Sequence, residues 1–281
     1  MLPMRLRLPR AAAAGLLALI VTGGFAYAQR GGGEFANIPP MFAPDPLPDR
    51  DFVVCRLMYE SVRREPAGGG WRTDYPYGEI NLSIRFSELT RTRVSMNDAT
   101  RRPNHFVVQL TDDALFQCPF TMASDVGTIG MSAEEAERLR SYLLKGGFLW
   151  VDDFWGTLAW EQWVEEIGKV LDPRDYPIVD VPPTDPVFHS QFTVQEVPQI
   201  TNIGFWRRSG GLETRERYDD SPFAEFKAIR DTDGRIMVVM THNTDVADSW
   251  EREGEDPEFF LQFSPYGYAL GINVLLHAMT H

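Results

Sequence analysis

The sequence predicts a three-layer α/β domain around a mostly parallel central sheet. Three observations lead there. Short apolar runs alternate with amphipathic, helix-forming stretches, the pattern of a parallel sheet covered on both faces. One of those stretches, SAEEAERLRSYLLKGG, carries both a start and a stop signal. Finally, some 230 residues follow the amino-terminal segments, about the length of one large domain.

The chain opens with Arg5, Arg7 and Arg10, an apolar run from Ala11 to Val21, and the small-x-small triplet Ala26-Tyr27-Ala28. That layout is a secretory signal peptide over residues 1–28, and the run is short for a membrane span. Residues 29–50 are rich in Gly and Pro and read as a flexible leader, and residues 51–281 read as a single domain. The protein is therefore expected to be exported, periplasmic or extracellular, with no transmembrane segment once the peptide is removed. The net charge is −13, and the removed segment takes three of the 27 basic and none of the 40 acidic residues. The mature charge of about −16 opposes phosphate backbones, so nucleic acid is excluded as a partner.

From residue 51 the elements follow in order. DFVVCRLMY is a buried strand, and the polar loop REPAGGGWRTDYPYG leads into a helix over residues 79–89. HFVVQL and PFTMAS are further strands. In the next helix Ser132 is the cap, Glu135 its capping-box partner, and Gly146-Gly147 the terminator. Ala136, Leu139, Leu143 and Leu144 form its apolar face. FLWVDD is a strand and TLAWEQWVEEIGKVL a helix. Beyond Pro177 the chain reads as turn-rich and extended, then as a hairpin about Asp233-Gly234, and finally as a helix interrupted near Pro265. Cys55 and Cys118 are the only cysteines. An oxidising compartment permits a bridge, but Cys55 lies within an apolar strand and two buried thiols are the expectation.

Ligands of open parallel sheets bind beyond the carboxyl ends of the strands. The residues placed there are Tyr59 and Glu60, Ser124 and Asp125, Asp152 and Asp153, and His242, Asn243 and Asp245. Asp152 and Asp153 are expected to cap the following helix. With Asp125 and Asp245 they also offer oxygen ligands for a divalent cation, although no spacing matches a calcium loop and no cofactor is plainly implied. His242 beside Asp245 has the makings of a general base, though stitching loops together is the usual work of a histidine so placed. Trp71, Tyr75, Tyr77, Trp155, Trp206 and Trp250 fall in polar loops, where rings beside acids can hold a carbohydrate-like ligand. Anchoring the loops is their expected role. GGGW lacks the Lys-Ser/Thr of a phosphate loop.

The blocks GGGWRTDYPYGEINLSIRFSELTRTRV, MSAEEAERLRSYLLKGGFLWVDDFWG, DPVFHS, VVMTHNTDVADSW and GINVLLHAMT, in that order, resemble the DUF4159 domain family. The resemblance covers nearly everything from residue 51 onward. It implies a flavodoxin-like fold of the class I glutamine amidotransferase kind. Amidotransferases place a cysteine nucleophile on the strand-to-helix turn, where this chain carries Asp152, Asp153 and Phe154. No thiolate is placed for attack, and no G-x-S-x-G elbow replaces it. The expectation is non-catalytic binding of a ligand or protein partner through the strand-end rim, using Tyr59, Glu60, Trp71, Asp125, Asn243, Asp245 and Trp250. The alternative is a hydrolase, metal-assisted or not, centred on Asp152 or Asp153 and His242.

Overall fold

The computed structural model describes residues 38–66 and 68–281; the expected signal peptide, residues 1–28, and the first part of the expected leader lie outside them. Seven strands form the central sheet: β1 (Cys55–Met58), β3 (Val107–Gln109), β4 (Thr121–Ser124), β6 (Leu149–Phe154), β7 (Ile178–Asp180), β8 (Glu225–Arg230) and β9 (Ile236–His242). Their spatial order is β3-β1-β4-β6-β9-β8-β7. The first five are parallel, and β8 and β7 close one side antiparallel. A short pair, β2 (Glu60–Ser61) with β5 (Ile129–Gly130), ties the chain after β1 to the chain after β4.

Alternation along the strands builds two cores. Leu149 and Val151 of β6 face one side with Leu139 and Leu143 of α2 (Ala133–Leu144) and Trp163 and Ile167 of α3 (Gly156–Val170). Trp150 faces the other side with Leu82 and Phe86 of α1 (Tyr77–Thr90) and Leu270 and Val274 of α6 (Pro257–Thr280). Between them in sequence are the short helices α4 (Ile203–Arg208) and α5 (Asp248–Glu251), the latter packed on α1 and α6. Residues 41–43 pair with the outer edge of β3 through Val107. Among the described residues no helix is long and apolar enough to cross a membrane.

The α2 signals act as read: Ser132 Oγ accepts from Glu135 N–H, Glu135 returns the bond to Ser132 N–H, and Gly146 ends the helix at φ 106°. Several expectations are corrected. Tyr142 rather than Leu144 completes the buried face of α2, because its hydroxyl reaches the carbonyls of Cys118 and Phe148 while Leu144 turns outward. Helix α6 continues through Pro265, which lies on its exposed side, where solvent serves the freed carbonyl of Leu261. The stretch after Pro177 contributes the edge strand β7. Cys55 and Cys118 are bonded to each other, with Cα atoms 6.1 Å apart. Burial in a strand does not prevent a bridge when the partner lies on the adjoining strand approach, as Cys118 does just before β4.

Candidate functional site

The strand-end rim is an acidic pocket. Asp125 follows β4, Asp153 and Phe154 end β6, and Asp245 follows β9; all three carboxylates line one cavity. The loop after β2 covers it with Glu65, Pro66, Gly68 and Thr73, and a second loop adds Glu216 and Arg217. Asn202, which caps α4 through its Oδ1, completes the wall. Arg217 latches the two loops together, its Nη2 lying 3.2 Å from both Glu65 Oε2 and the Pro66 carbonyl. The cavity measures about 20 Å³, room for one water-sized body and far below the few hundred Å³ of an organic-ligand pocket.

Backbone geometry at the rim is unusual. Asp125, Asp153 and Asn243 have φ of 54°, 54° and 60°, each at or just past the carboxyl end of a neighbouring parallel strand. Left-handed non-glycine residues occur where surrounding bonds hold them. Asp153 N–H bonds to the Thr244 carbonyl, Asn243 N–H to the Phe154 carbonyl and Asp125 N–H to the Asp152 carbonyl. The β6 and β9 register shifts between Val151 and Phe154. Adjacent aspartates thereby part company. Asp152 turns inward, accepting from Thr241 Oγ1 and from Ala247 N–H at 2.9 Å. Asp153 turns to the cavity, its Oδ1 accepting from Trp155 Nε1 at 2.8 Å.

Neither aspartate caps α3, contrary to expectation. Both remain on β6, too early in the chain to reach the first helical N–H groups. Asn243 Oδ1 instead accepts from Gly156 N–H, and Asp220 accepts from Thr157 N–H.

The remaining candidates scatter. The Tyr59 hydroxyl bonds to the carbonyls of Ser124 and Asp125 and stays buried, shaping the turn after β4. Glu60 is exposed on β2. The Trp71 ring lies tilted against Tyr75, 5.8 Å between centroids, with Arg72 over it. Trp250 is fully buried against Trp150. His242 is wedged between Phe154 and Trp160; its Nδ1 lies 2.8 Å from Glu225 and its Nε2 3.1 Å from the Gly156 carbonyl. Both nitrogens face acceptors within the fold, and neither addresses the cavity. The bond from His242 is the main reason the Glu225 carboxyl sits down at about 2. The glycine-rich loop spends its Gly70 N–H on Asp125 Oδ2 at 2.8 Å, binding a carboxylate rather than a phosphate.

Asp74 went unsingled in the sequence, yet it is central. Its Oδ2 accepts from Ser124 Oγ, which also receives Arg56 Nη1. One oxygen each of Asp74, Asp153 and Asp245 lie within 4.8 Å of one another. Burial, reinforced by the neighbouring carboxylates, holds the Asp153 and Asp245 carboxyls well above the usual range. Burial raises Asp74 as well, against the pull of Arg56. It also lifts Asp125 to about 7 despite the Gly70 bond, and Asp152 to about 7 despite Thr241 and Ala247. The nearby guanidiniums are committed elsewhere: Arg56 to Glu79, Arg217 to Glu65 and Glu216, and Arg252 to Asp248, Glu251 and Glu255. Among the described residues Asp125, Asp153 and Asp245 take part in no ion pair, whereas Asp74 feels the pull of Arg56 and Arg252. The only signal for Asp74 was its place in TDYPYG, just ahead of α1. Glu65, Asn202 and Glu216 come from loops whose positions no local pattern announces.

Fold and site together define an α/β domain with a small carboxylate-lined pocket beyond its parallel strands. Residues 54–279 match the family described as "Domain of unknown function (DUF4159)", and the chain belongs to that family. No curated protein matches it.

Proposed function

We propose that this chain is an exported, non-catalytic domain of flavodoxin-like type that binds a cationic ligand in its strand-end pocket. The observation carrying this reading is the convergence of the buried Asp74, Asp125 and Asp245 with the half-buried Asp153, of which Asp125, Asp153 and Asp245 make no ion pair among the described residues. Ionising Asp153 and Asp245 with no opposite charge in contact is costly, which is why burial raises them, and a bound cation offsets that cost. Taken in chain order, the parallel strands run 2-1-3-4-5, the flavodoxin-like order, whose ligand site lies outside the carboxyl ends near the reversal. The disulfide fits an oxidising compartment. Catalysis by Asp153 with His242 has no support in the geometry, because both imidazole nitrogens are engaged away from the pocket.

The test is the thermal transition of the purified protein against divalent metal salts, spermidine and arginine, with a neutral sugar as control. Native-state binding raises the transition. At least one cationic probe should raise it, and Asp125→Asn/Asp153→Asn should erase the gain. A protein indifferent to every cation, or stabilised only by the sugar, overturns the reading.

A further inference from the structure

We infer that the cation is a single hard divalent metal ion, of the calcium, magnesium or manganese class, held by Asp74, Asp153 and Asp245. This rests on the pocket reading above and narrows it.

The first ground is Asp245 itself. The residue is 1% exposed and lines the cavity. Its Oδ1 accepts from Asp248 N–H at 2.9 Å. Among the described residues its Oδ2 accepts no hydrogen bond, and in a side chain this enclosed a free carboxylate oxygen beside a cavity favours a donor or a cation there. Among the described residues Oδ2 of Asp153, at the same cavity, accepts no hydrogen bond either.

The second ground is spacing and size. Three carboxylate oxygens within 4.8 Å of one another can share an ion whose oxygen ligands sit about 2.0–2.6 Å away. The cavity beside them, about 20 Å³, has room for one water-sized body next to the carboxylates and excludes a bulky organic cation.

The third ground is the donor set. It is oxygen alone: the only two cysteines are consumed in the disulfide, and His242 is turned away. Carboxylates favour hard cations, while softer metals favour thiolate and imidazole. A neighbouring group, Asp74 with Asp248 and Glu251, is also compact. There, however, Arg252 Nε lies 3.3 Å from Asp248 and 2.9 Å from Glu251, and Ile203 N–H occupies Asp248 Oδ2. Arg252 already supplies the positive charge, so one ion per chain is expected.

The deciding experiment strips the purified protein with a chelator, then measures metal content and thermal transition after adding Mg²⁺, Ca²⁺ or Mn²⁺, with spermidine in parallel. One equivalent of a divalent ion should be retained and should raise the transition. Asp245→Asn should weaken its affinity by about 100-fold or more, since even supporting residues of metal sites contribute 10–100-fold. Glu251→Gln should bind as the native chain does. Should Asp245→Asn fail to fold, Asp153→Asn takes its place. Two equivalents per chain, or loss of the ion in Glu251→Gln but not in Asp245→Asn, overturns the assignment. Protection by spermidine with no divalent ion bound overturns it too, while leaving the cationic-pocket reading intact. No effect of any cation removes both.

Discussion

Replacing Cys55 and Cys118 together by Ala tests how the amino ends of β1 and β4 are held. The bridge spans 63 residues of sequence. Loop-closure entropy for a loop of that length is about 14 cal/mol/K, or about 4 kcal/mol near 25 °C. The half-cystines are 0% and 2% exposed, so truncation also removes packed sulfur, and the entropic figure is a lower bound on the loss in that respect. A domain of this size loses about 2–4 °C per kcal/mol, so the melting temperature should fall by about 10 °C. Guanidinium unfolding followed by tryptophan fluorescence should show the midpoint fall by roughly 1 M. A midpoint shift under about 0.2 M would refute the loop-entropy reasoning and imply a denatured state already constrained without the bond. The bridge lies at the amino ends of its strands and the pocket at the carboxyl ends, so the variant's cation response should persist at a temperature where it remains folded.

Arg56 and Glu79 are both 0% exposed and paired, with Arg56 also donating to Ser124 Oγ. Arg56→Met should cost about 3–5 kcal/mol in urea unfolding by leaving Glu79 buried and unpaired, with much of it recovered in Arg56→Met/Glu79→Leu. Equal loss in single and double variants would show that the hydrogen bond to Ser124, rather than the charge pair, is what matters. At Gly127 an added Cβ would lie 2.4 Å from Ala159 Cβ and 2.9 Å from its Cα. Gly127→Ala should therefore cost about 1–3 kcal/mol, partly relieved by Ala159→Gly; strict additivity of the two would mean the contact is not the cause. Burial and the stacked His281 hold the His277 imidazole down to about 4, near Asp185 and Arg230. The unfolded chain takes up that proton first, at about 6.5, so stability is present above that pH and is lost as pH falls toward 4. His277→Gln should flatten this acid limb in urea titrations from pH 7 to 4, and identical slopes would contradict the assignment.

Local chemistry made much of the scaffold legible. Ser132, Glu135 and Gly146 delimit α2 because capping bonds join residues only a few positions apart. Asp233-Gly234 turns the β8–β9 hairpin for the same reason. Asp125, Asp153 and Asp245 fell at strand ends because apolar runs stop where the sheet does. The sequence by itself thus determined the alternation of strand and helix, the rim and most of its acids. Tertiary structure decided which acids meet. Asp152 and Asp153 are neighbours in sequence, yet a register shift in β6 sends one to Thr241 and Ala247 and the other to the cavity. Asp74, Glu65 and Glu216 join from loops that only packing brings into place, and Cys118 finds Cys55 across 63 residues. The physical reason is the range of the interactions. Caps and turns act within a few residues, whereas burial and charge act through space, between segments that only the finished sheet places side by side.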